Sequence, residues 1–381
     1  FLVKTWDRDN QLNHTLVTGE GAVALVESRT QSDSYFIFPD SPGTHAQTVV
    51  PGPGAGNAES PIGWVTGNTT VGNNNDAYLD RDNDNGPDAN GRPVSETADF
   101  LNPFDLTVAP IEPLNQMASV QSLFYLTNVI HDKLYRHGFT EGAGNFQVDN
   151  FGMGGVGNDP LNAEAQDGGG TNNANMSTPD DGSRPRMQMY IWTVSDPARD
   201  GSVDSDIVFH EYGHGLTWRM IGAMSGPFAG AIGEGMSDVL AILINDQDTV
   251  AEYSYNRDTG IRRYAYTDYP LTYGDLTGRS VHDDGEIYAA TIWRLWEIFQ
   301  ANGIPQDTLF DYLVDGMNYT QPAPAYEDMR NGILESVTDP AHECLVWQAF
   351  ADFGIGEGAD GYIRLLRAKV RESFRLPTQC R

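Results

Sequence analysis

The hydrophobic period changes near residue 204, and that change limits the chain to a fold in which a β-rich half precedes a helical one. Up to about residue 110 the chain reads as short strands and turns. Val23-Ala24-Leu25-Val26 and Tyr35-Phe36-Ile37-Phe38 are strand candidates between clusters of Gly, Pro, Ser and Asp. Val120, Leu123, Phe124, Ile130 and Leu134 recur at helical spacing and predict a helix over 113–138, stopped by Gly138. Gly and Asn then dominate 142–185, ahead of a strand-like run over 187–192. Beyond 204, helices are predicted from Ser205 or Asp206 to about 222, over 232–244, and from a capping box at Asp283 and Glu286 to Gly303. Further helices are predicted over 307–316, 326–337 and 360–373. Strands first and helices after predict an α+β fold, divided at 203/204.

Charge narrows the partners. With 53 acidic and 23 basic residues in 381, the formal net charge is −30, and Lys4, Lys133 and Lys369 are the only lysines. Phosphate binding needs clustered Lys and Arg, so nucleic acid is excluded as a partner. No apolar run reaches the length of a bilayer span, which excludes a membrane-crossing helix. The chain opens at Phe1 without Met or a signal segment and reads as a processed mature form. Cys344 and Cys380, too few for a thiolate zinc site, read as one disulfide in an oxidising compartment or as two unpaired thiols.

Inside the helix predicted after 204 lies His210-Glu211-Tyr212-Gly213-His214. Four residues advance a helix by about 400°, so the two imidazoles leave one face a turn apart, as one zinc ion requires. Glu211 sits beside them, able to reach water without ligating. Zinc lowers the pKa of its water to about 7, and a carboxylate then takes the proton. Two satisfied core histidines would give the same pattern, so the third ligand decides. Thr217 and Met220 stand where one large group of zinc enzymes would need Gly and His. The remaining solution is a Glu on the following helix, which Glu234 supplies twenty residues beyond His214. Asp238, one turn further on the same face, is placed to accept the second ring N–H of a ligating His. His282, just ahead of the next helix, reads either as an oxyanion-stabilising imidazole or as an ordinary helix-flanking residue.

These segments together resemble the thermolysin-like zinc metallopeptidases, and among them the fungalysin family of secreted metalloendopeptidases. The resemblance rests on His210 to His214, on Gly233-Glu234-Gly235-Met236-Ser237-Asp238 and on Val281-His282. Asn128-Val129-Ile130-His131-Asp132, Ala165-Gln166-Asp167-Gly168, Asn172-Asn173-Ala174-Asn175, Arg186-Met187-Gln188-Met189-Tyr190 and Pro270-Leu271-Thr272-Tyr273 extend it over about 120–300. It implies a thermolysin-like two-domain α+β fold, residues 1–203 and 204–381, with the active site between. One Zn2+ is implied on His210, His214 and Glu234, with Glu211 as general base and acid and His282 facing the oxyanion. Asn173 and Ala174 are implied on an edge strand that pairs with peptide, and Arg262 or Arg263 as an orienting group for a substrate carbonyl. Protein or peptide substrates, a removed propeptide as inhibitor, a monomer and an extracellular location follow from the same resemblance. A zinc exopeptidase of the gluzincin type and a catalytically silent zinc-binding secreted protein are the alternatives. Gly213 and Met236 depart from the family, which often has Thr and Trp there.

Asp80-Arg81-Asp82-Asn83-Asp84-Asn85-Gly86-Pro87-Asp88 lies outside the region of resemblance. Its carboxylates at 80, 82, 84 and 88 read as a calcium loop or as a solvated acidic turn. The Gly falls one position late for an EF-hand, and no Glu ends the loop.

Overall fold

The computed structural model describes residues 1–6, 12–28, 33–365 and 367–381. The protein is an α+β fold. At its start β1 (Leu2–Trp6), β2 (Leu12–Val17) and β3 (Val23–Ser28) make an antiparallel three-stranded sheet. Next in sequence are β4 (Ser34–Ile37), β5 (Thr48–Pro51), β6 (Asn75–Leu79) and β7 (Asp99–Phe100), with β4 sitting between β5 and β7. The burial of β4 alternates along the strand, which covers the strand candidate at Tyr35 to Phe38 except for Phe38.

The long helix α1 (Pro113–Arg136) carries Pro at its first turn and Lys133 and Arg136 in its last. Both choices suit a helix, since the first turn has no use for a proline N–H and the last favours cations. Its apolar face packs on β4 and β6, on β8 (Leu161–Ala165) and on α2 (Ser205–Met220). β9 (Ala174–Ser177) and β10 (Arg186–Met189) complete a sheet in the order β6-β8-β10-β9, which leaves β9 on its edge. The predicted strand 187–192 is split at Tyr190, and β11 (Ile191–Trp192) pairs instead with β12 (Arg199–Asp200).

After α2 come α3 (Ala229–Asn245), the single turn α4 (Glu252–Tyr255), α5 (Val281–Ala301), α6 (Gln306–Met317), α7 (Tyr326–Ser336) and α8 (Pro340–Asp352). Three local expectations are corrected. Asp204 caps α2, accepting from Asp206 N at 3.2 Å. Ser280 caps α5, whose first turn therefore contains His282, and Glu286 turns to Arg263 instead of closing a capping box. The stretch 360–373 is a hairpin, β13 (Asp360–Arg364) and β14 (Arg367–Arg371), because its side chains alternate across a ribbon. The Cys344–Cys380 disulfide ties the C-terminus to α8.

A continuous cluster of buried side chains runs from Tyr35 to Ala359 through both halves of the chain. α3 lies between α2 and α5, and glycine permits both crossings. A Cβ at Gly213 would meet Ser237 Cα at 2.7 Å, and one at Gly235 would run into the carbonyl oxygen of Gly285. The backbone of α3 thus approaches both neighbours more closely than side chains would allow. No described helix is long and apolar enough to cross a membrane.

Candidate metal centre

That tight stacking of α2, α3 and α5 brings their polar side chains to one point. His210 and His214 leave the same face of α2 with ring centroids 4.9 Å apart and planes at 86°. From α3, Glu234 enters between them, its Oε2 3.4 Å from His210 Nε2 and its Oε1 3.8 Å from His214 Nε2. One ligand atom from each of the three residues lies within 4.8 Å of the others. Glu234 Oε2 is buried and accepts no hydrogen bond, although imidazole nitrogens surround it. Two imidazoles and a carboxylate converging on one point, with an oxygen left unsatisfied, match the donor set that zinc takes.

The His210 ring is held from behind. Its Nδ1 lies 2.7 Å from Asp238 Oδ1, and the Asp238 carboxylate also accepts from Arg262 Nε and Nη2 at 2.7 and 2.8 Å and from the Tyr266 hydroxyl. Burial would push Asp238 up, but Arg262 and His210 outweigh it and hold the carboxyl well below the usual carboxylate range. Burial opposes a charged His210 too, yet Asp238 and Glu234 carry it up to about 10. For Glu234 the surrounding imidazoles overcome burial and draw the carboxyl down to about 2. Burial and the neighbouring charge on His210 push His214 down to about 4. For Asp238, His210 and Glu234 the cause is opposite charge held close, whereas His214 goes the other way because burial and the charge on His210 both oppose its protonation.

Glu211 is buried on the same helix, and burial pushes its carboxyl up to about 7. His282 reaches in from the first turn of α5, its Nε2 3.2 Å from Glu234 Oε2 while most of the ring stays exposed. All of these residues except Asp238 and Tyr266 line a cleft of about 470 Å³. Ala174 opens β9 along one wall with Asn173 just before it, and Trp218, Met224 and Val281 are among the other lining residues. Arg263 does not line it. The Arg263 side chain is bonded to Glu286, to the Tyr269 hydroxyl and to the carbonyl of Asp283.

Of the acidic loop, Asp80, Asp82 and Asp88 bring their carboxylates within 4.8 Å of one another. Asp84 is outside that group and gives its backbone N–H to Asp80 Oδ1 at 3.0 Å. Sequence reasoning passed over Tyr266 and Trp218. Nothing in spacing marks Tyr266 among the many tyrosines of 253–273, whereas Trp218, one turn beyond His214, was legible as a residue near the histidines.

Residues 34–359 match the model of the fungalysin metallopeptidase family. The chain is similar to an extracellular metalloproteinase of Aspergillus flavus, 36% identical over 90% of this chain and 61% of the relative. A second such protein, from Fusarium vanettenii, is 35% identical over 94% of the chain and 63% of the relative. The chain thus spans about three fifths of the length of these relatives. Among solved structures, the precursor of protealysin, a metalloproteinase from Serratia proteamaculans, aligns with a TM-score of 0.45 and 15% identity, over 67% of this chain and 85% of that one. The family match takes in the whole of α2, α3 and α5 with every residue of the centre they build, and the chain belongs to the fungalysin metallopeptidase family.

Proposed function

We propose that the protein is a zinc-dependent endopeptidase that acts outside the cell on internal bonds of proteins and peptides. The observation that carries this reading is the convergence of His210, His214 and Glu234 on the floor of a cleft whose wall is an edge strand. His210, His214 and Glu234 hold the ion. When bound, zinc supplies a Lewis acid for the scissile carbonyl and lowers the pKa of water.

The chain's own residues do the rest. An extended peptide adds to the free edge of β9 by main-chain hydrogen bonds near Asn173 and Ala174, which suits long substrates better than free amino termini. Residues 1–203 supply that edge, and residues 204–381 supply the helices opposite it. Glu211 takes a proton from the attacking water and returns it to the leaving amine. The His282 N–H faces the oxyanion as the carbonyl becomes tetrahedral. Arg262, anchored by Asp238, orients the substrate carbonyl. The same edge receives the chain's own propeptide as an inhibitor before its removal.

The test is hydrolysis of casein and of internally quenched peptides, with metal analysis on the same sample. Internal cleavage that a chelator abolishes and zinc restores is expected. Release of single amino-terminal residues alone would turn the reading into an exopeptidase, and bound zinc without any cleavage would leave a silent metal-binding protein.

A further inference from the structure

Away from the cleft, the loop after β6 packs against the end of β8, and there three carboxylates are shut off from water. Asp80, Glu164 and Asp167 are at most 1% exposed, yet one oxygen of each lies within 4.8 Å of the other two. Five of their six carboxylate oxygens accept a hydrogen bond. Asp80 accepts the backbone N–H groups of Asp84 and Asn85, both at 3.0 Å. Asp167 accepts from Gly169 N and from Gln188 Nε2, at 2.5 and 2.6 Å. Glu164 Oε1 accepts from the Tyr78 hydroxyl at 3.1 Å.

Glu164 Oε2 is the exception, since it is fully buried and accepts no hydrogen bond. The cation nearest to it is Arg186, whose Nε stands 3.7 Å away and also makes no hydrogen bond. One guanidinium at that distance faces three buried carboxyl groups, and burial together with the neighbouring Asp167 pushes Glu164 up to about 8, so the cluster lacks close positive compensation. We propose that Asp80, Glu164 and Asp167 bind a calcium ion that fastens the 80–88 loop to the end of β8.

The donor set selects the ion. Every ligand type is a carboxylate oxygen, which suits a hard cation and not zinc or copper. Calcium–oxygen distances of about 2.3–2.6 Å put opposite ligands about 5 Å apart, the scale of this triad. An entry path is present as well. Asp80 is shared with the outer group that includes the exposed Asp82 and the half-buried Asp88, so a surface set of carboxylates leads to the buried one. The ion's effect reaches the sheet through Asp167, which holds Gln188 of β10, whose register partner is Asn175 of the edge strand β9.

The test is calorimetric titration of calcium chloride into the full chain with its zinc retained, together with thermal unfolding with and without calcium. Saturable binding and a Tm rise of several degrees are expected, as mass action requires of an ion that binds only the folded state. Glu164→Gln keeps the shape and the Tyr78 acceptor, and is expected to weaken calcium at least tenfold and to abolish most of the Tm rise. Asp167→Asn is expected to behave alike. No calcium heat and no Tm change in the unaltered chain would overturn the site, as would calcium binding that both variants leave intact. A crystal of the unaltered chain soaked in calcium chloride locates the ion without any substitution. An anomalous peak among the three carboxylates supports the proposal, and a peak elsewhere or none overturns it.

Discussion

Asp238 Oδ1 stands 2.7 Å from His210 Nδ1, and this contact decides which face of the His210 ring meets Glu234. With Nδ1 turned to Asp238, Nε2 faces Glu234 Oε2 at 3.4 Å and is the nitrogen that a metal ion would take on losing its proton. Asp238→Asn keeps the volume but removes the charge that orients the ring. Zinc affinity is expected to fall about 10–100-fold, the usual effect of losing such a partner, as read by competition with a chromogenic chelator. An unchanged affinity would detach Asp238 from the metal centre.

Arg262 is the charge that makes a buried Asp238 tolerable. Arg262→Met leaves that carboxylate deep in the protein without its bidentate partner, and this is expected to destabilise the fold by about 3–5 kcal/mol in urea unfolding. Arg262→Met combined with Asp238→Asn is expected to recover part of the loss, because the second change removes the stranded charge. Arg263→Met is the comparison. Its partner Glu286 keeps the Tyr269 hydroxyl at 2.8 Å, and Arg263 lies outside the cleft, so a smaller effect is expected.

Glu211→Gln separates metal binding from proton transfer. Glu211 is not one of the three converging ligands, so zinc content by metal analysis is expected to stay at the level of the unaltered chain. The amide cannot take a proton, and kcat/KM for a quenched peptide is expected to drop by about 10²–10⁴-fold or more. Near-normal turnover would remove Glu211 from the proton pathway.

The residues of this centre were legible because helical spacing is a local rule. His210 and His214 share a face by counting alone, and Asp238 follows Glu234 by one turn. The choice between Arg262 and Arg263 was not legible, since adjacent residues differ only in what the loop packs them against, here Asp238 for one and Glu286 for the other. The 360–373 stretch misled for a related reason. Its apolar residues suit either period in isolation, and pairing of Tyr362 with Lys369 decides for a hairpin. The helix α8 is not among the predicted helices, although Asp339 as cap and Pro340 at its first turn mark its start. Gly213 departs from the family's usual Thr, and α3 gives the reason, since Ser237 occupies the space of its missing Cβ.

The Cys344–Cys380 bridge closes a separation of 36 residues. In the chain-entropy picture a loop of that size is worth about 3–4 kcal/mol. Replacing both cysteines with serine is therefore expected to lower the unfolding free energy from urea titration by an amount in that range, while the metal centre, built on other helices, keeps its zinc affinity. A change in zinc affinity as large as the change in stability would mean that the tail supports the centre.

Gly233 and Gly235 stand two residues apart on α3 and are expected to respond in opposite directions to the same substitution. Alanine in a helix interior is favoured over glycine by about 1 kcal/mol, so the sign depends on the space each Cβ would enter. At Gly233 the nearest atoms are Met224 Cβ at 3.8 Å and His214 Nδ1 at 3.9 Å, which is ordinary contact. Gly233→Ala is therefore expected to raise stability by about 0.5–1 kcal/mol. At Gly235 the new methyl would press on the Gly285 carbonyl and lie 3.0 Å from Tyr288 Cβ. Backbone cannot rotate away as a side chain can, and overpacking of this kind costs about 1–3 kcal/mol, more than the propensity gain. Gly235→Ala is expected to lose stability and, by prising α3 from α5, to move Glu234 away from His282 and lower kcat/KM as well. Paired thermal melts of the two variants read the contrast directly. Equal gains in both would mean that the α3–α5 crossing has room for a methyl group, and that the closeness of these helices is not what assembles the centre.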